Sequence, residues 1–163
     1  MSNLTNYAEN EFVDALVRGQ PLGAPATMYF ALFTSDPTDT GAAGTEITGG
    51  SYARVAVTAS LANFAGTQSA GSTTASSGTG GQTSNNIAIT FPAPTANWGV
   101  ATHWALMDAS GGGNAWVSSP LTTPKTINNG DPAPSFPIGS LVLTFASLIS
   151  LLCQITHCFK ARF

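Results

Sequence analysis

Alternating apolar and polar positions between residues 85 and 131 predict four short β-strands at the centre of the chain. In the first, Ile87, Ile89 and Phe91 fall on one face, because successive strand side chains point to opposite sides. The second has little alternation, as expected for a strand covered on both faces. Turn-forming Gly, Asn and Asp residues separate the last strands. The four predicted strands are Asn85–Phe91, Trp98–Met107, Asn114–Ser118 and Leu121–Ile127.

The segments on either side add further strands without an intervening helix. Thr27–Phe33 is apolar on both faces, which favours a central position. Val55–Ala59 and Gly139–Ala146 alternate, and Leu61–Phe64 and Pro132–Pro137 are short or extended segments. About eight strands in this arrangement predict a mainly β fold, an antiparallel β-sandwich of Greek-key or jelly-roll type.

One amphipathic helix is predicted over residues 4–18, where Leu4, Ala8, Phe12, Ala15 and Leu16 recur at helical spacing. Thr5 is one candidate N-cap, and Asp14 and Arg18 can form an i,i+4 ion pair. The helix could plug one end of the sheets or act as an arm that grips a neighbouring subunit. The wide apolar face favours the plug.

Two segments differ from the strand pattern within the predicted single domain of residues 1–146. Ala65–Ser84 is a low-complexity insert without core residues, and we expect a mobile loop when the protein is alone. The divergent tail 147–163 is apolar. The run Leu141–Ile155 invites a membrane-spanning interpretation, but it is short and interrupted by polar residues. We expect no membrane span, and favour a short helix or extra strand.

The low content of charged residues argues against nucleic-acid binding and favours assembly with other proteins. Charged residues make up 8% of the chain, with five Lys and Arg and a formal net charge of -3. Because five cations cannot neutralise a row of phosphates, we expect no nucleic-acid binding. An uncharged exterior gives little protection against self-association. The composition therefore predicts a surface covered by other protein, including a homo-oligomer.

The candidate reactive or ligand-binding residues each have a simpler structural interpretation. His103 lies in mid-strand and suits a core or groove histidine with one backbone partner. Asp36, Asp39 and Glu46 supply oxygens that calcium prefers, but their spacing matches no calcium-binding loop. Asp before Pro and Asp before Thr-Gly are common turn formers, which favours turns. Trp98, Trp104 and Trp116 could form a sugar-binding platform, although their apolar strands favour core positions. Cys153 and Cys158, with His157 nearby, are predicted to be free apolar thiols.

We therefore expect no catalytic residue, no cofactor and no metal site, and no enzymatic activity. The sequence has neither a nucleophile elbow nor a phosphate loop. Arg54, one of the few cations, is expected to pair with an Asp or Glu near its strand end.

Several stretches, in this order, resemble a family of small structural proteins of tailed bacteriophages, often described as tail fibre proteins. The insert is longer than the resemblance implies, and residues after Ala146 do not share it. The resembling stretches are Leu4–Asn10, Ala24–Thr27, Phe33–Thr38, Gly50–Val57, Ile89–Pro94, Trp98–Gly99, Asp108–Ala109 and Leu121–Asp131.

The resemblance implies a virion protein that assembles with other virion proteins. The chain lacks the heptads or repeats of a fibre shaft. We therefore expect a capsid decoration, or cement, protein on the outer shell, whose partner is the major capsid protein. The insert and both termini are candidate contacts. The alternative is a tail or baseplate accessory, including a fibre tip that binds a receptor or glycan.

Overall fold

The computed structural model describes residues 3–145. Within that range the chain forms one helix and nine strands, and every strand pair is antiparallel. The elements, in chain order, are β1 (Asn3–Leu4), α1 (Asn6–Val17), β2 (Thr27–Phe33), β3 (Val55–Thr58), β4 (Gln82–Ser84), β5 (Ile89–Thr90), β6 (Gly99–Met107), β7 (Ala115–Ile127), β8 (Ser135–Phe136) and β9 (Val142–Thr144).

Five strands form the main sheet, in the order β1-β7-β6-β2-β3. The other four form two short ribbons, β4-β9 and β5-β8, that supply the second layer in place of a full sheet. The principal core cluster joins residues of both layers, among them Phe30, Trp104, Ile89 and Leu143. The prediction of a mainly β, antiparallel fold with one N-terminal helix is confirmed.

The main sheet is buried on both faces near β2 and β6. Phe30 and Leu32 of β2 point into the principal core, whereas Ala31 and Phe33 join a second cluster on the opposite face. A loop covers this second face: an added Cβ at Gly41 would lie 2.9 Å from the Cβ of Ala115. The predicted central position of Thr27–Phe33, between β3 and β6, is confirmed.

The predicted strands Asn114–Ser118 and Leu121–Ile127 are one strand, β7, so the prediction of two was wrong. Its pairing with β6 shifts register between two pairs, His103 with Pro120 and Ala101 with Lys125. Between these two pairs, β7 advances by five residues and β6 by two. Because the surplus residues bulge out of the ladder, a proline-containing segment fits without ending the strand.

Three further strand predictions hold with shorter bounds. Val55–Ala59 is β3, and Ile89 and Phe91 are buried as predicted for Asn85–Phe91. Of the predicted strand Gly139–Ala146, residues 139–145 are described, and within them only Val142–Thr144 is strand. Phe145 is half exposed and does not share the buried face of Leu141 and Leu143.

The insert contains a short strand at its C-terminal end. Gln82–Ser84 forms β4, which pairs with β9, and Ala65 and Ser84 are buried. The prediction of a loop without core residues over the whole of Ala65–Ser84 was therefore wrong at both ends. The mobility of the remainder stays a prediction. The hydroxyl-rich stretch before β4 forms local hydrogen bonds, such as Gln68 Nε2 to Ser72 Oγ at 2.6 Å.

Buried Asn85 joins the second layer to the core. Its side-chain amide donates to the carbonyls of Ile87 (2.7 Å) and Pro137 (2.8 Å). Its Oδ1 accepts the backbone N–H of Leu141 at 2.9 Å. One buried side chain thus joins residues 85–87 to residues 137–141, and its polar groups are paired without water.

The tail 147–163, with Cys153, His157 and Cys158, lies outside the described residues, as does most of the run Leu141–Ile155. Over residues 3–145, no helix combines the length and apolar character needed to cross a bilayer.

Candidate functional site

The three tryptophans are core residues, each 4–5% exposed, so the alternative of a sugar-binding platform was wrong. Trp98 Nε1 donates to the Gly50 carbonyl at 2.8 Å, which fixes a loop against the sheet. Trp116 meets the ring of Tyr7 edge-on, with centroids 5.4 Å apart. These rings hold the layers and α1 together.

The acidic residues considered as calcium ligands form turns and an ion pair. Asp36 Oδ1 accepts the Thr38 N–H at 2.8 Å, as in an Asx turn, and the Asp39 carbonyl accepts the Asn6 N–H at 2.8 Å. Glu46 pairs with Arg54 instead. The turn interpretation is confirmed. Among residues 3–145, no group of three or more His, Cys, Asp or Glu side chains is placed to hold a metal ion.

Arg54 is at the centre of a polar cluster. Its guanidinium donates to both carboxylate oxygens of Glu46, from Nε at 2.8 Å and from Nη2 at 2.7 Å. Nη1 donates to the carbonyls of Ala109 (2.6 Å) and Gly112 (2.8 Å) in the β6–β7 turn. The predicted pairing of Arg54 with an acid is confirmed, and the cluster joins two loops to the start of β3.

Tyr52 extends this cluster into the core. Its hydroxyl accepts the Leu32 N–H at 2.8 Å and donates to Glu46 Oε1 at 3.1 Å. Burial raises the pKa of Tyr52 well above the usual 10.0, and the Glu46 carboxylate adds to the shift by disfavouring the phenolate. The side-chain bond to Glu46 raises the pKa of Arg54, so the guanidinium stays charged. The cluster is thus a fixed structural clamp.

His103 lies in the middle of β6 with its side chain 18% exposed. Nδ1 is 2.9 Å from Thr102 Oγ1, and Nε2 is 3.9 Å from Asp36 Oδ2. The predicted partly buried position is confirmed. The predicted backbone partner was wrong, because the neighbouring threonine supplies a hydroxyl.

The helix leaves most of its apolar side chains in solvent. Thr5 is the N-cap and Ala8 is fully buried, but Leu16 is 85% and Val17 is 73% exposed. The plug interpretation was therefore wrong for the second half of α1. Because each residue turns the helix by about 100°, the exposed apolar side chains occupy an arc of about 140°. We call this arc the α1 knob; it consists of Phe12, Val13, Leu16 and Val17.

A groove opens between the bulged part of β7 and the ribbon β5-β8. It has a volume of about 190 Å³, and apolar side chains form most of its lining, while Lys125 lies at its rim. The β7 bulge brings Leu121 to this groove. We call it the β7–β8 groove; its lining includes Leu32, Phe91, Leu121, Lys125, Ile127 and Phe136.

Another apolar groove, of about 340 Å³, lies where the insert begins. Its lining includes Leu61 and Phe145, each about half exposed, with Phe64 and Thr67. The insert therefore contributes to a surface beside the last described residue. Of the candidate contacts named from the sequence, the insert and the N-terminal helix reach the surface of the protein, and the C-terminus lies outside the described residues.

An exterior with apolar patches is a feature of a protein that assembles with others. One family model matches residues 3–144, which is most of the chain. This match makes the chain a structural protein of the phage fibre class, and therefore a virion-associated protein. The family is described as podophage GP4 fiber I protein gp80, and the chain belongs to it. No curated protein matches the chain.

Proposed function

We propose that this chain is a non-enzymatic building block of the virion, which attaches to neighbouring virion proteins through the α1 knob. The observation that carries the proposal is the exposure of four large apolar residues on one arc of a short helix. Contiguous exposed apolar surface is typical of interaction sites, because burying it against a partner releases water. The low content of charged residues leaves few groups to be desolvated on contact.

The first location that we propose is the outer capsid shell, where the chain acts as a decoration protein bound to the major capsid protein. A compact β domain with small apolar contacts suits a lattice, because many copies act together and each contact can be modest. The sequence has no heptads or repeats that would wind chains into a shaft.

The second candidate location is the tail, where the chain would be part of a fibre or baseplate and bind tail proteins. The description of its family as a fibre protein favours this location. Receptor or glycan binding would then belong to a surface other than the tryptophans, which are buried.

Copy number and position on purified virions separate the two locations. Cryo-electron microscopy of virions that carry a labelled copy should show density over the whole shell for a decoration protein. Density confined to one vertex would contradict the capsid location and support the tail.

A matched pair of variants tests the docking surface itself. Leu16→Asp places a charge in the α1 knob, and Ile138→Asp places one at an exposed apolar residue elsewhere, 67% exposed. We expect Leu16→Asp to abolish incorporation into virions and Ile138→Asp to leave it unchanged. Equal incorporation of both variants, each folded by circular dichroism, would contradict the proposed use of α1.

A further inference from the structure

We infer that the α1 knob of one copy docks into the β7–β8 groove of a second copy, which gives a head-to-tail contact. This inference rests on the proposed function only in treating α1 as an assembly contact. It goes further by naming the occupant, a second copy of this chain, and the surface that receives it.

The two surfaces match in size and character. The groove volume of about 190 Å³ exceeds the ~150 Å³ of an apolar cavity that admits a benzene ring. One or two branched side chains of the knob, with Leu16 the most exposed, therefore fit. The groove wall is mostly apolar, with Leu32, Phe91 and Ile127 among its residues, so a knob that enters it desolvates few polar groups. Thr123 and Ser135 supply the hydroxyls in the lining.

Charge is complementary at the edge of the contact. Glu9 lies on the solvent side of α1, within the angular range of Leu16 and Val13 and about one turn nearer the N-terminus. Lys125 lies at the groove rim. Neither forms an ion pair within residues 3–145. A knob seated in the groove can therefore bring one unpaired acid towards one unpaired base.

Asp131 is the other charged group near the groove, in its continuation beside Lys125. Its Oδ2 accepts the Asn128 N–H at 2.8 Å, so this carboxylate already closes a turn. Lys125 thus remains the cation available to an incoming Glu9.

The positions of the two surfaces require two molecules. The knob belongs to the helix that packs at the start of β7, where Tyr7 meets Trp116. The groove lies near the other end, where Lys125 and Ile127 pair with Ala101 and Gly99. At about 3.3 Å per residue, more than about 20 Å of strand separates them. A contact between unlike surfaces at opposite ends is heterologous, so it generates rings or open rows of subunits.

Complementary variants of the purified full chain test this contact, with mass measured by sedimentation velocity over a range of concentrations. The wild-type chain should associate beyond a dimer. Leu16→Asp in the knob and Leu121→Asp in the groove should each weaken association at least about tenfold, because a buried unpaired charge is costly. Ile138→Asp should associate like the wild type.

Mixing the two defective variants is the decisive measurement. In a heterologous contact, the intact knob of Leu121→Asp can enter the intact groove of Leu16→Asp. The mixture should therefore form dimers and stop there. Loss of association with Leu16→Asp but not with Leu121→Asp would overturn the inference in favour of a helix-to-helix contact. A wild-type chain that stays monomeric at high concentration would overturn it too.

Charge reversal tests the rim contact separately. Glu9→Lys and Lys125→Glu should each weaken association about two- to fivefold, since rim charges contribute little. The double variant Glu9→Lys/Lys125→Glu should recover wild-type association. Failure of this recovery would overturn the assigned pairing of the charges. The wild-type chain could associate with itself as expected and still fail to enter virions. That outcome would support this contact and contradict only the proposed virion role.

Discussion

The Arg54 cluster and the α1 knob lie at the same end of the sheet and have opposite chemistry. The cluster is charged, and the side chain of Arg54 is 6% exposed with partners for its donors. The knob is apolar and in solvent, with Leu16 at 85%. The difference shows that the charged group supports the fold, whereas the apolar groups are available to a partner. Substitutions in the cluster should affect stability, and substitutions in the knob should affect assembly.

The largest effect on stability is expected for Arg54→Ala. It leaves Glu46 partly buried without a cation and two turn carbonyls without a donor, which costs about 3–5 kcal/mol. Urea unfolding followed by circular dichroism measures the loss. Arg18→Ala is the matched control, because the pair of Arg18 with Asp14 (2.9 Å) is exposed and contributes little. Equal losses of stability in the two variants would show that the buried Arg54 cluster contributes no more than an exposed ion pair.

Asn85→Leu should lower stability by about 2–3 kcal/mol, because it strands two carbonyls and one N–H in the core. Its neighbour Asn86 makes one longer bond, to the Ser72 carbonyl at 3.3 Å, so Asn86→Ala serves as the control. Chemical denaturation of both variants measures the difference. A neutral Asn85→Leu variant would mean that the second layer does not depend on this side chain.

The raised pKa of Tyr52 predicts that the folded protein loses stability at high pH. Its pKa is raised in the folded protein from 10.0, so the folded state holds the proton more tightly than the unfolded state. Stability should be level below about pH 10 and then fall by up to ~1.4 kcal/mol per pH unit. Urea midpoints between pH 8 and 11.5 measure this slope.

Tyr52→Phe is the variant for that experiment. It should be less stable than the wild type at pH 8, since the Leu32 N–H loses its acceptor, but its slope should be shallower. Burial also raises the pKa of Tyr7, in the same direction, so some slope should remain. An unchanged slope in Tyr52→Phe would show that another group causes the alkaline loss.

Leu16→Ala should have the smallest effect on the stability of the isolated protein, within about 0.5 kcal/mol, because the side chain is already in water. Thermal unfolding at low protein concentration measures it. A loss above about 1.5 kcal/mol would mean that Leu16 is packed within its own subunit and would weaken its assignment to assembly.

Local signals predicted much of the fold. The alternation of Val55 and Val57 and the apolar run Thr27–Phe33 placed strands correctly, because burial imposes the strand period. The Asp14–Arg18 pair is present at 2.9 Å, since i,i+4 residues are neighbours on any helix.

Features that depend on distant partners were less predictable. Pro120 suggested a break in β7, yet the bulge opposite Ala101 and His103 absorbs it. The helical pattern placed Leu16 on the predicted apolar face. Whether that face is buried depends on how many residues of α1 contact the sheet, and the sequence does not show this. Val13 and Val17 fall outside the predicted apolar face of the helix, and they were the available signal for the knob. Asn85 carries no local sign of its two distant partners, Pro137 and Leu141.

Thr5 has a mechanical consequence for any neighbour attached to the helix. Its backbone N–H and hydroxyl bind carbonyls of Trp116 and Ala115, while the only buried residue of α1 is Ala8, one turn away. Tension on the helix therefore reaches the sheet through this N-terminal anchor as well as along the chain from Val17 to β2. Through the anchor it enters β7, whose 13 residues make it the longest strand described. One route by which this subunit bears load is thus fixed by a threonine.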